Sequence, residues 1–506
     1  MTPPPLSQPL ADATSPAWVE DVIPYPPSSK PGDHGLRSDI DWAAVERDLR
    51  GLNVVTSRPQ RRALSRDFHW YSPVLQQALA DCVADRVVKV ANEEDVRRVA
   101  AVAARHGLPL TVRGGGTGNY GQCVPLVGGL VLDVTPMMSV LEIAPGRVRV
   151  QAGARMADIE LAVRETGQAL RMWPSTWRVA TIGGFICGGF GGIGSTEHGV
   201  LRDSGNLLSC RVVTVEAEPR VIRLEGDAIQ QVHHAYGTNG ILTEVELALS
   251  PAVDWVHAIA LFDGSPQGYR QLLHAAGEAT GALAGSAPPP VRAFLMSAVD
   301  ARFSPYYPVL SPWFPGDRHA LFAMVAPASM PAFDRIVQAH GGRVSLAMDE
   351  AALERAGLPP AYECAYNHTT LQALKADRGW TYLQVAYPQP FDPALVQAQM
   401  ERWGDEVLQH QEFARMGGAP ATFGLVLVRW RGRERQAERI RAIEADGCVI
   451  FNPHVVTIED GGMKTIDDAQ IAFKREADPH GLLNPGKTRG WTVAMARPLP
   501  DRPAAD

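Results

Sequence analysis

The spacing of hydrophobic positions changes along this chain from short apolar runs to helical periodicity and back, and each change marks an element. Residues 87–90 read as a strand. Asn92 then caps a helix in which Val96, Val99, Ala100 and Ala103 recur three and four apart, and Gly107 ends it before a second strand at 110–112. Residues 130–133 and 148–151 are further strands, and 156–166 is a helix stopped by Gly167. These make a small lobe of sheet and helices. A second lobe is expected from Trp173 and Pro174 onward, with a hairpin of 211–215 and 221–224 and, after a turn at Gly237 and Gly240, a strand of alternating apolar residues.

Both ends differ from this middle. Residues 41–50 look helical, with Asp39 or Asp41 as N-cap and Gly51 as stop, but the Pro- and Ser-rich stretch up to Pro31 has no apolar period. We expect a flexible arm over residues 1–40. From Pro251 to about Phe451 glycine thins out and aromatic residues gather, which suggests a separate cap. Residues 478–490 (DPHGLLNPGKTRG) are polar and broken by Pro and Gly, yet Leu482 and Leu483 need burial, so this segment should pack on the body.

Composition narrows the function classes. The 506 residues, 45% hydrophobic, suffice for two or three domains of a soluble enzyme. Lys plus Arg total 48 against 55 Asp plus Glu, a net charge of −7 without a long basic block, which argues against a nucleic-acid partner. The cysteines Cys82, Cys123, Cys187, Cys210, Cys364 and Cys448 form no C-x-x-C pair or zinc spacing and are expected as reduced, mostly buried thiols. The N-terminus has neither a charged n-region nor an apolar h-region, and the most apolar stretch, 180–193, is short and interrupted by glycine. A cytoplasmic protein without a membrane span is the expectation.

The chemistry concentrates at 111–122, TVRGGGTGNYGQ. A strand enters a bend containing Gly114, Gly115, Gly116 and Gly118, where missing Cβ atoms let successive backbone N–H groups converge on an anion. Gly116, Gly118 and Gly121 also satisfy G-x-G-x-x-G, but a dinucleotide site of that kind needs a helix starting in the bend. Pro125, Gly128 and Gly129 leave no room for one before the next strand. A helix-free phosphate cradle is therefore expected. A second glycine-dense segment, 183–199, has eight glycines in seventeen residues, which points to close approach of a flat ligand.

These motifs in order, VRGGGTGN at 112–119, LVLDVTPM at 130–137, ATIGG at 180–184, HGVLRD at 198–203, YGTNGILTEVELAL at 236–249 and LLNPGK at 482–487, resemble the FAD-binding PCMH-type oxidoreductases of the vanillyl-alcohol oxidase superfamily. The likeness is greatest to the branch of D-lactate dehydrogenase and the glycolate oxidase flavoprotein subunit. It implies an α+β fold: a two-lobed FAD-binding domain at 41–252, an α/β cap at 253–455, and a segment 456–506 returning to the FAD domain. It implies that Arg113, Gly114, Gly115, Gly116, Thr117, Gly118 and Asn119 wrap the FAD diphosphate. Thr176, Thr181, Gly183 and Gly184 would line the ribityl and isoalloxazine side, with Ile241 and Thr243 touching it through main-chain atoms. Thr117 stands where some relatives carry a flavin-linked histidine, so non-covalent FAD is expected. Cys187 and His198, the alternatives for a link, read more simply as a buried cysteine and a loop histidine.

The chain departs from the 2-hydroxy-acid branch where that branch holds a divalent metal. The matching places read FGLVLVRW (423–430), without histidine, and TIEDGGMK (457–464), where Asp460 replaces the histidine beside Glu459. Two carboxylates without imidazole suit a transition metal poorly, so no catalytic metal is expected. A flavin oxidation still needs a group to take a proton. His454 is the candidate base, His368 and Tyr366 form a second polar cluster, and Arg429 is a candidate partner for a substrate carboxylate or simply the exit of its strand. Trp173 and Trp177 either close over the flavin or pack beneath it.

The expected function is FAD-dependent oxidation of a small organic alcohol or 2-hydroxy acid by hydride transfer to flavin N5. Alternatives are a phenolic, aldehyde or amine substrate, suggested by the aromatic cap, or a flavin-binding subunit without turnover. The electron acceptor stays open among a quinone, an electron-transfer protein and oxygen, and a homodimer is compatible with the sequence.

Overall fold

The computed structural model describes residues 16–283 and 289–500. Helix Glu93–His106 illustrates how sequence sets local structure. The Asn92 carboxamide oxygen accepts from the Asp95 amide at 2.9 Å, and Gly107 ends the helix at φ +66°. Its buried face, Val96, Val99, Ala100 and Ala103, packs on a four-stranded sheet ordered Asn53–Val55, Arg86–Lys89, Leu130–Asp133, Leu110–Arg113. Each valine buried there is worth roughly 1.5–3 kcal/mol before the entropy of ordering it. The last three strands run parallel, and the chain passes from Leu110–Arg113 to Leu130–Asp133 without a helix, as the glycine and proline spacing predicts.

A second sheet is antiparallel: Val140–Ala144, Arg147–Gln151, Ile241–Pro251, Leu207–Val213, Val221–Glu225. This corrects the division of lobes read from sequence. Strand Arg147–Gln151 belongs here because Val148 and Val150 stand opposite Leu247 and Val245, a pairing invisible to local periodicity.

The third sheet is large and antiparallel, running Arg343–Met348, Val256–Asp263, Arg318–Val325, Ala293–Val299, His410–Met416, Ala419–Arg429, Trp380–Ala386, Val449–Phe451. Period-two alternation divides its residues. Ala258, Ala260 and Phe262 face a layer containing helices Pro266–Thr280, Met330–Ala339, Pro393–Trp403 and Arg433–Ala445. Ile259 and Leu261 face the other way, into a core continuous with Val148 of the second sheet and with Trp173 and Phe185. The functional cavity lies along that seam.

The expected flexible arm is corrected for the part the structure describes; residues 1–15 lie outside it. Helix Ala17–Val22 packs on helix Arg433–Ala445, with Val19 and Ile23 fully buried and Arg441 stacked 4.6 Å over Trp18. At the other end, Leu482 and Leu483 are buried against strand Leu110–Arg113, with the Leu110 amide donating to Leu482 O at 2.8 Å. Asn484, at φ +42°, donates from Nδ2 to Gln122 O at 2.7 Å and Tyr236 O at 2.6 Å, tying the glycine-rich bend to the 236–240 turn. All six cysteines are free thiols, and no described helix is long and apolar enough to cross a membrane.

Candidate functional site

One long cavity runs along the seam. At one end it is walled by Gly114, Gly115, Gly116, Thr117, Gly118 and Asn119. None of the six amides in this stretch donates to a protein acceptor among the described residues. Successive unpaired N–H groups are rare unless a ligand or water takes them, and six in one bend suit an anion with several oxygens, such as a diphosphate. Two glycines are required by geometry. Gly116 has φ +63°, and a Cβ on Gly115 would lie 2.3 Å from Val179 O, because the bend packs directly on 179–181. That second segment continues as helix Ile182–Gly188, whose N-cap Thr181 accepts from the Gly184 amide at 3.3 Å.

Thr176, Thr181, Gly183 and Gly184 also line the cavity. Arg113, Ile241 and Thr243 do not. The Arg113 guanidinium packs against Gly116 behind the bend and donates to Arg66 O and to Cys123 Sγ at 3.4 Å. Along strand Ile241–Pro251 the lining alternates: Gly240 and Leu242 face the cavity, whereas Ile241 is buried in the core and Thr243 donates to Glu93 Oε2 at 2.7 Å.

The far end lies against the cap sheet. Phe190, Phe423 and Phe451 form an aromatic box with ring centroids 5.6–6.2 Å apart, extended by Val385, Leu425 and Met463. Polar groups reach this end from several elements. Tyr120 donates to Gln384 Oε1 at 3.0 Å, and the Tyr236 hydroxyl is buried beside the Gln122 carboxamide, with no protein acceptor for its proton among the described residues. Burial holds both phenols above their usual range, so they stay protonated and act as hydrogen-bond donors.

Of the four catalytic candidates, only Tyr366 lines the cavity. It sits at φ +50°, and its amide donates to the buried Glu412 at 2.6 Å. His454 lies outside the lining, locked between Ser72 Oγ at 2.7 Å and Gln436 Nε2 at 3.0 Å. The Gln436 amide donates to Nε2, so the ring is neutral with its proton on Nδ1. Burial pushes its pKa down to about 3. His368 pairs with Glu363 at 3.0 Å, and Arg429 pairs with Asp377 at 2.5 Å while stacking 3.7 Å over Trp380. Both lie outside the lining, as do Trp173 and Trp177, which pack against Tyr362. In the degenerate motif, Glu459 accepts from Thr488 and Gly490, and Asp460 pairs with Arg489 at 2.7 Å.

Sequence reasoning missed Asp67, Tyr120, Tyr236 and Gln384. The available signal was a polar residue at an apolar position, as Gln384 is within the strand WTYLQVA.

Comparison with known proteins agrees with the cradle. Residues 84–224 match the sequence profile of the FAD binding domain. The chain is 30% identical over 177 residues to an uncharacterized FAD-linked oxidoreductase of Mycobacterium tuberculosis, covering 33% of this chain and 38% of the relative. It is 31% identical over 178 residues to glycolate oxidase subunit GlcD of Bacillus subtilis, covering 33% and 37%. It is 30% identical over 186 residues to a D-lactate dehydrogenase of Archaeoglobus fulgidus, covering 35% and 41%. The matches thus span well under half the length of these relatives. In fold, the chain is similar to alkyldihydroxyacetonephosphate synthase, with a TM-score of 0.65, 12% identity and coverage of 89% of this chain and 87% of that one. It is likewise similar to a BBE-like 1 variant of Physcomitrella patens, at a TM-score of 0.60, 12% identity and coverage of 88% and 98%.

Proposed function

We propose that this chain, whose residues 84–224 match the FAD binding domain, oxidises an uncharged, apolar or aromatic alcohol in the seam between the cradle and the third sheet. The observation that carries this reading is the lining itself. Asp67 is its only Asp, Glu, Lys, Arg or His side chain among the described residues. A 2-hydroxy acid would bring a carboxylate against a lining that carries Asp67 and no cationic side chain, at a desolvation cost of several kcal/mol, since Arg202 stands behind the Phe190 ring, 5.2 Å from its centroid. An apolar group instead meets Phe190, Phe423 and Phe451, and each aromatic contact adds about 0.5–1.5 kcal/mol beyond the area it buries.

FAD, held through its diphosphate by the amides of residues 114–119, supplies a two-electron hydride acceptor. The chain supplies binding, orientation and dryness. Tyr236 has a hydroxyl proton to donate to the substrate oxygen, whereas Tyr120 spends its own on Gln384. Phe423, Leu425, Phe451 and Met463 keep water from the reacting end.

Anaerobic mixing of the flavin-loaded protein with a panel of substrates tests this reading. Aryl and medium-chain alkyl alcohols should bleach the visible flavin band at least about a hundredfold faster than glycolate or either lactate, a difference of about 2.7 kcal/mol in barrier. Equal or faster reduction by a 2-hydroxy acid would refute it.

We also propose that the FAD is non-covalent. Burial pushes the Cys187 thiol up to about 12 and the Cys123 thiol up to about 11, which leaves neither cavity cysteine as the thiolate that a thioether link requires. Acid precipitation should release all of the yellow colour into the supernatant; a coloured pellet contradicts the assignment.

A further inference from the structure

Resting on the reading of the site as one for uncharged alcohols, we propose that Phe190 is the residue that sets this selectivity, its ring standing between the cavity and Arg202, a cation that would otherwise receive an acid. Phe190 lines the cavity and packs in the aromatic box, 5.8 Å from Phe423 and 5.6 Å from Phe451. The Arg202 guanidinium sits behind the ring, 5.2 Å from its centroid, and outside the lining. The backbone sets the two side by side, because the Leu201 amide donates to Phe190 O at 2.9 Å.

Arg202 has a charge to give. Among the described residues its guanidinium pairs with no carboxylate, and the acceptor it reaches is the Met416 thioether, 3.6 Å from Nη2. A thioether is a weak acceptor, so the half-buried cation rests on the ring face and on water. Met416 also shows where this cation lies. On strand His410–Met416 it stands two residues beyond Ala414 and so on the same face, and Ala414 lines the cavity. The guanidinium thus reaches the face of the third sheet that walls the cavity, one side chain away from the space itself.

Phe190 is held in this place. It is flanked by two glycines on each side, and those at 189 and 192 are closely seated. A Cβ on Gly189 would lie 2.4 Å from Phe185 Cδ2, and one on Gly192 would lie 2.2 Å from Trp173 O. A carboxylate entering the cavity therefore meets the ring and not the charge, and reaching Arg202 would mean breaking the contacts of the box. Specificity is a difference between two affinities, and the ring removes the attraction that would favour the acid. An uncharged alcohol loses nothing by the screen.

Benzoate and benzamide differ in charge but little in shape, and titrating each into the flavin-loaded protein while following the flavin absorbance band tests this. The wild type should bind benzamide more tightly. Phe190→Ala should shift the ratio of the two dissociation constants toward benzoate by about 10–100-fold, the range of one charged hydrogen bond gained. Adding Arg202→Gln to Phe190→Ala should remove the shift, whereas Arg202→Gln alone should leave the wild-type ratio within about threefold, because the screened charge is shared with water. In turnover, kcat/KM for mandelate relative to benzyl alcohol, of which it is the carboxylated form, should rise in Phe190→Ala and fall back in the double variant. If Phe190→Ala loses FAD, Phe190→Val, which shortens the partition, must move both ratios the same way. The proposal is overturned if either ratio stays at its wild-type value in the yellow variant, if the shift survives Arg202→Gln and so belongs to space and not to charge, or if the wild type already prefers benzoate. A wild-type protein that a 2-hydroxy acid reduces as fast as an alcohol removes the functional reading and this assignment together, whereas the variant ratios bear on Phe190 alone.

Discussion

Gly115→Val is expected to purify folded but colourless, and to stay colourless when FAD is added. A Cβ at this position would lie 2.3 Å from Val179 O and 3.2 Å from Ala180 Cα, both backbone atoms. Neither can yield without disturbing Thr181, which caps the helix forming the next part of the cavity wall. The bend must therefore move outward, and its six amides lose their convergence. Overpacking of this kind costs about 1–3 kcal/mol, and a loss near 2.7 kcal/mol weakens FAD about a hundredfold. Flavin absorbance per protein, with far-ultraviolet circular dichroism as the control for folding, measures the effect. A variant as yellow as the wild type would show that the bend does not hold the nucleotide.

His454→Ala should cost stability and leave the reaction untouched. Its ring is fully buried, and the substitution strands the Gln436 amide and leaves a cavity, a loss of about 2–4 kcal/mol. The effect depends on pH with a definite sign. In the unfolded chain the imidazole takes a proton below about pH 6.5. In the folded protein burial holds it neutral down to about 3. Between those values the unfolded state binds the extra proton, so wild-type stability falls by about 1.4 kcal/mol for each unit of acidification, a component that His454→Ala lacks. Urea midpoints at neutral and mildly acidic pH should therefore converge on acidification. Parallel pH dependence, or flavin reduction slowed as a lost base would slow it, would contradict this account.

The two variants mark where the sequence was readable. The bend was legible because its logic is local: strand, four glycines, no space for a helix, strand. Helix Glu93–His106 was legible for the same reason, with cap, apolar period and stop within fifteen residues. His454 could not be judged locally, since its partners Ser72 and Gln436 lie 382 and 18 positions away, and the residue type alone suggested a base. Asp67 was passed over for the converse reason. It sits among RDFHWY as an ordinary polar residue, and contacts distant in sequence, Phe68 N with Gly118 O and Arg113 with Arg66 O, bring it to the cavity. Strand Arg147–Gln151 reads into the wrong lobe because, besides its hairpin partner Val140–Ala144, the strand that joins it to the second sheet comes nearly a hundred positions later. Helix Ala17–Val22 is too short to announce itself by periodicity and exists through its packing on Arg433–Ala445. Arg429, named as a candidate carboxylate partner, ends a strand that gives Phe423, Gly424 and Leu425 to the cavity, and it lies outside the lining, paired with Asp377.

The most direct test of the central claim, that main-chain amides of residues 114–119 grip a nucleotide diphosphate, is equilibrium binding of FAD and riboflavin to the deflavinated protein. The two ligands share the isoalloxazine ring and differ in the part the bend would hold. FAD should bind at least about a thousandfold more tightly, about 4 kcal/mol, and binding of riboflavin as tight as that of FAD, or no binding of either, would contradict it.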